Sequence, residues 1–169
     1  MNTTHAVRQS AVAGTFYPGS KDQLEAEIGM LLRNASPQQE TGTLVGLIVP
    51  HAGYVYSGIT AAKAYALLRG RSIDTCILIG PSHQEYFEGV SVYPGSAYAT
   101  PLGETEIDAE LREDVLARSS VVHASLRGHG GEHSLVVQLP FLQAVLPKSK
   151  ILPFLPAEKS NQRIFWSLT

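Results

Sequence analysis

Short apolar runs alternate along the chain with amphipathic stretches, and the two patterns predict different elements. Leu44 to Val49 and Ile73 to Ile79 are rich in branched residues, which predicts strands buried on both faces of a parallel sheet. Between them, Ile59 to Arg69 reads as a helix. Strand, crossover helix and strand of this length make a right-handed βαβ unit, with both strands parallel in one sheet. Upstream, Leu24, Ile28, Leu31 and Leu32 recur at helical spacing after Ser20 and Gln23, a capping-box pair, which predicts an amphipathic helix to Arg33. Thr105 and Asp108 repeat that signal ahead of a helix with Ile107, Leu111 and Val115 on one face. Gly89 to Tyr93, Ala97 to Thr100, and Val121 with Val122 read as short strands. Leu135, Leu139, Leu142 and Leu146 trace another helix, in which Pro140 either makes a kink or opens the second half as a first-turn residue. Ile151 to Leu155 predicts a strand that Pro153 confines to an edge or an irregular position. Residues 1 to 19 read as irregular. Ala157 to Thr169 reads as the opening turns of a further helix without a stop signal, so the chain is expected to be truncated at its C-terminus.

Composition narrows the class. The chain has 169 residues, 44% of them hydrophobic, which suits a single domain over residues 1–169 with its own core. A net charge of -2 without a basic run argues against a nucleic-acid surface. The single cysteine, Cys76, excludes an internal disulfide and fits a reducing compartment. No apolar run approaches the roughly 20 residues of a membrane span, and the N-terminus lacks the pattern of a signal peptide. The expected location is the cytoplasm.

Six histidines carry most of the candidate chemistry. His51 and His83 each follow a predicted buried strand of the βαβ unit, so both imidazoles emerge at the carboxyl edge of one sheet, where open α/β folds place ligands. Two readings fit that placement. Both rings hydrogen-bond loop backbone, or both hold one metal ion, since neutral imidazole suits zinc, iron and copper. A third ligand would come from Glu132, His133, Cys76 or a residue beyond position 169. His133 sits at a predicted helix start, as ligand, proton donor or plain cap. Gly-His-Gly-Gly around His129 matches no phosphate-loop spacing. Cys76 in mid-strand reads as a small buried hydrophobe. Ser82 precedes His83, yet no Gly-x-Ser-x-Gly pattern supports a hydrolase using Ser82 or a zinc-bound water. Tyr54 and Tyr56 read as pocket wall or packing, with hydroxyls available to an anionic oxygen. His5 and His123 read as solvated.

Four ordered motifs carry a resemblance. Gly14-Thr15-Phe16-Tyr17-Pro18, Pro50-His51-Ala52-Gly53-Tyr54-Val55-Tyr56-Ser57-Gly58, Gly80-Pro81-Ser82-His83, and Glu132-His133-Ser134-Leu135 followed by Gln138-Leu139-Pro140-Phe141 resemble the Memo family, whose prokaryotic members are termed AmmeMemoRadiSam system protein B. The resemblance covers nearly the whole chain. It implies a three-layer α/β/α sandwich around a mainly parallel sheet, similar to class III extradiol dioxygenases with their non-haem iron. By that resemblance His51 and His83 are the metal ligands, His133 is the acid or base, and Phe16, Tyr54 and Glu132 belong to the pocket. Val136 stands where the family usually has Glu, and the family's third ligand is expected in the C-terminal part that this sequence lacks. Two functions follow. One is a metal-dependent, dioxygenase-like oxidoreductase using Fe(II) or Cu, with O2 and a small organic molecule at open positions. The other is a non-catalytic module that binds a peptide or protein in the same pocket. The system name implies a radical-SAM protein and an AMMECR1-domain protein as functional partners.

Overall fold

The computed structural model describes residues 6–36 and 42–157. Within them the chain is an α/β fold built on two mixed sheets. The larger holds β2 (Thr75–Ile79), β7 (Lys150–Pro156), β3 (Val90–Val92) and β6 (Val122–Ala124), in that spatial order. β7 runs parallel to β2 and antiparallel to β3, and β3 runs parallel to β6. The smaller sheet has the order β1 (Val7–Arg8), β4 (Ala97–Thr100), β5 (Gly103–Glu106). The two meet through a bridge between Ile107 and Ile151 and the bond from Asp108 N–H to the Ile151 carbonyl, 2.9 Å.

Helices α1 (Lys21–Asn34), α2 (Tyr54–Tyr65) and α4 (Leu139–Val145) pack together, while α3 (Ala109–Arg118) leads into β6. Leu24, Ile28, Leu31 and Leu32 are buried as their spacing predicts. At the centre Tyr65 stacks on Phe141 with centroids 5.0 Å apart and Tyr54 meets the same ring at 5.0 Å. Leu24, Leu139, Phe141 and Leu152 are wholly buried around them, each contributing about 1.5–3 kcal/mol by leaving water. No helix among the described residues is long and apolar enough to cross a membrane.

Several expectations change on contact with this arrangement. Leu44 to Val49 pairs with no strand, and Val45 and Ile48 are 96% and 104% exposed. Leu44, Leu47 and Val49 turn toward the core and are half-buried against it, while Val45 and Ile48 face outward, so the segment is covered on one side only. The crossover helix begins at Tyr54, five residues earlier than its apolar pattern indicates, because Gly53 N-caps it. β7 lies inside its sheet despite Pro153. Its ladder with β3 ends at the pair Val92 and Phe154, so the N–H that Pro153 lacks is one no ladder bond requires. Pro140 opens α4 in its first turn after a 3-10 turn over Val136–Gln138. Ser20 occupies the N-cap of α1 without a side-chain bond, whereas Asp108 caps α3 by accepting from Leu111 N–H at 2.9 Å. Thr105 is buried in β5 and takes no part in that cap. Val7–Arg8 forms a strand within a segment expected to be irregular. The helix expected after Ala157 lies outside the described residues.

Candidate metal centre

Four separate pieces of chain converge at the carboxyl end of β2. The Gly14–Gly19 loop docks on the start of α2 through Tyr54 N–H donating to the Phe16 carbonyl at 2.8 Å. A Cβ on Gly53 would stand 3.4 Å from that carbonyl oxygen, at ordinary contact distance. His51 sits just ahead of α2, and the Pro50 carbonyl accepts from Gln138 Nε2 at 3.2 Å. Gln138 is itself held by the Tyr65 hydroxyl, 2.8 Å from its Oε1. His83 follows β2 through Gly80, where a Cβ would lie 2.8 Å from both Leu135 Cδ2 and Ser134 Oγ. A side chain there would have to displace Leu135 or Ser134, so glycine favours the close exit of β2 beside the segment bearing His133.

These contacts gather three imidazoles. The ring centroids of His51 and His83 are 5.2 Å apart, those of His51 and His133 5.9 Å, and those of His83 and His133 4.8 Å with nearly parallel planes. One nitrogen from each ring lies within 4.8 Å of the others. Phe16 closes one side, its centroid 4.7 Å from that of His133. His51 and His133 are half-buried, whereas His83 keeps 39% of its side chain exposed.

Glu132 organises the group from beneath, with 1% of its side chain exposed. Its carboxylate accepts from His83 N–H at 2.5 Å, His133 N–H at 2.8 Å and Ser134 N–H at 2.9 Å. It also lies 2.9 Å from His83 Nδ1 and 3.4 Å from His133 Nδ1. Burial alone would raise its pKa, but the bonds from His83, Ser134 and His133 outweigh that and hold it at about 2. An ionised acceptor fixes the proton of neutral His83 on Nδ1 and leaves Nε2 with a free lone pair. His133 is held below the usual imidazole range, first by burial and also by the neighbouring His83 and His51, against the opposing pull of Glu132. It therefore presents neutral nitrogen at neutral pH.

Of the residues singled out from sequence, the structure brings together His51, His83, His133, Phe16 and Glu132. Tyr54 goes into the core instead, donating to the Val137 carbonyl at 2.8 Å with its ring against Tyr17 and Phe141. Tyr56 is exposed. Cys76 stays in mid-strand on β2, its thiol pushed up by burial. Ser82 donates to the Glu85 carbonyl at 2.8 Å, and no imidazole receives its proton among the described residues. His123 is exposed on β6, and His5 lies outside the described residues.

Sequence reasoning missed the buried polar cluster behind Glu132. Arg8 donates to the carbonyls of His129, Gly130 and Glu132, and its guanidinium lies 4.7 Å from the Tyr98 ring centroid. The Tyr98 hydroxyl bonds His129 Nδ1, and His129 Nε2 has no partner among the described residues. Burial, then the Arg8 charge, pushes the His129 pKa down to about 3. A lone arginine in a segment without periodicity offers no signal for such a role; the glycines flanking His129 were the one available sign of close packing.

The chain is also similar in sequence to known proteins. A family model described as Memo-like protein matches residues 8–164. A MEMO1 family protein of Sulfurisphaera tokodaii is 40% identical over 158 residues, covering 87% of this chain and 56% of the relative. One from Nitrosopumilus maritimus is 34% identical over 159 residues, covering 91% and 58%. One from Aquifex aeolicus is 43% identical over 148 residues, covering 87% and 54%. The chain thus spans about half the length of the curated relatives it matches.

Proposed function

The chain belongs to the Memo family, and from that premise we propose that His51 and His83 hold a non-haem metal ion, Fe(II) or Cu, beside His133 as acid or base, in an oxidoreductase of dioxygenase-like character. The observation that carries this reading is the convergence of three imidazole nitrogens within 4.8 Å over one ionised, buried carboxylate. Imidazole bonds of about 2.0–2.1 Å bring ligand nitrogens to within roughly 4 Å of one another, so small rotations of these rings suffice to meet an ion. The donor set fits in kind as well: neutral nitrogens suit iron and copper, and Glu132 supplies the carboxylate partner that metal-binding imidazoles commonly have. An α/β/α sandwich of the extradiol dioxygenase type belongs to the same reading and is consistent with mixed sheets flanked by helices.

Such an ion would polarise a bound oxygen donor and give O2 a redox partner. The chain's own residues do the rest. Glu132 orients His83 through Nδ1. Phe16 shields the face of His133 from water. His133, the ring held neutral by burial, is the base available to take a proton from a substrate hydroxyl.

Elemental analysis of anaerobically purified protein, beside the His51→Ala, His83→Ala double variant, tests the reading. Near-stoichiometric iron or copper in the parent and none in the variant is the expected result. Absence of metal from both under reducing conditions would end it. A second reading, a non-catalytic module for a peptide or partner protein, is favoured by Val55 and Tyr56, which stand 85% and 86% exposed just beyond His51. Radical-SAM and AMMECR1-domain proteins are the partner classes proposed for it, by family association.

A further inference from the structure

Arg8 is a cation 7% exposed in a two-residue strand, and no carboxylate pairs with it among the described residues. A buried charge in that state is unfavourable unless its donors are fully used. Here Nε and Nη2 are spent on backbone. Nε donates to the His129 carbonyl, and Nη2 donates to the carbonyls of Gly130 at 3.2 Å and Glu132 at 2.5 Å. Three oxygens within four consecutive residues therefore turn inward around one planar fork, a geometry that guanidinium supplies and ammonium does not. The Tyr98 ring supports the fork from one face, while the Tyr98 hydroxyl holds His129 at the loop's start.

The loop so gripped ends at Glu132, whose two ends face different tasks. Its carbonyl belongs to Arg8, and its carboxylate holds His83 and the backbone of His133 and Ser134. We propose that Arg8 is a positioning residue for the imidazole cluster, acting through the 129–132 backbone to fix the Glu132 carboxylate and hence the orientation of His83 and His133. The metal-affinity arm of its test rests on the metal reading above; the arm that reads the imidazole does not.

The experiment compares the full chain with Arg8→Lys, which keeps the charge without the fork, and Arg8→Gln, which keeps donors without a buried charge. Leu24→Ala, in the buried face of α1 and away from the loop, is the control for general destabilisation. Long-range proton–nitrogen NMR on metal-free protein, at a pH where imidazoles are neutral, reads the His83 tautomer; zinc alone, in a chelator competition, reads affinity. In the parent, His83 carries its proton on Nδ1. Both Arg8 variants are expected to show mixed His83 tautomers and a zinc affinity lower by about tenfold to a hundredfold, the usual effect of removing support behind a ligand, while Leu24→Ala retains the parent tautomer. Rescue by Arg8→Lys, an unchanged tautomer in Arg8→Gln, or an equal change in Leu24→Ala overturns the proposal. If the parent binds no zinc, the metal reading loses its support and the tautomer comparison still decides the role of Arg8. Should either variant fail to fold, the other carries the same comparison, since each removes the fork by a different route.

Discussion

Two stretches of this chain exchange the roles their compositions suggest. The polar, glycine-rich loop from Gly128 to Ser134 is gripped at nearly every residue, with His129, Glu132 and Ser134 each no more than 2% exposed. In the apolar run Leu44 to Val49, Val45 and Ile48 lie open, as do Ile77 and Ile79 on β2, 55% and 65% exposed. The difference teaches that burial depends on what stands opposite. A polar segment can be interior where Arg8, Tyr98, Glu85 and Pro81 supply a partner for its atoms, and an apolar one stays outside until another layer covers it.

The contrast can be broken most sharply at Glu132. Glu132→Ala strands three backbone N–H donors in a buried place, and we expect a loss of about 3–5 kcal/mol in urea unfolding with little change in slope. A loss under 1 kcal/mol would mean that water already reaches the loop. The loop also carries the acid sensitivity. His129 and Glu132 both have folded-state pKa values below their ordinary ones, about 3 against 6.5 and about 2 against 4.5. Between those limits the folded chain binds fewer protons than the unfolded one, so stability is full above the upper value and falls as pH drops. Thermal midpoints should therefore decline from near pH 6.5 downward and steepen below 4.5. Replacing His129 by Phe should flatten the upper part of that decline while leaving the lower. On the apolar flank the expected effect is smallest. Ile48→Thr should shift stability by no more than about 0.5 kcal/mol, with weaker binding of a hydrophobic dye as the visible change. A loss above 2 kcal/mol would show that the flank is covered in solution.

Much of the architecture was legible because it follows from local pattern. The buried face of α1, the strand at β2 and the first-turn Pro140 all rest on periodicity or on the geometry of one residue. His51 and His83 were legible as a pair, although only His83 follows a strand; His51 arrives on a segment that joins no sheet. What sequence could not show is the neighbour across space. Nothing local tells that Pro153 falls where no ladder bond is needed, that Leu44 to Val49 joins no sheet, or that Arg8 reaches a loop 121 residues away. His133 was readable as ligand, acid or cap for the same reason, and its contact with Phe16 and its distance to His83 separate those roles only in three dimensions.

The central place of β7 has a consequence for synthesis. Its two neighbours, β2 and β3, are complete by Val92, yet the strand that joins them begins at Lys150. At about 5–20 residues per second on a ribosome, the earlier strands wait roughly 3 to 12 seconds without the strand between them. Through that interval the nascent chain presents unpaired strand edges, a form that a holding chaperone would recognise and that closes only when β7 slides into the gap.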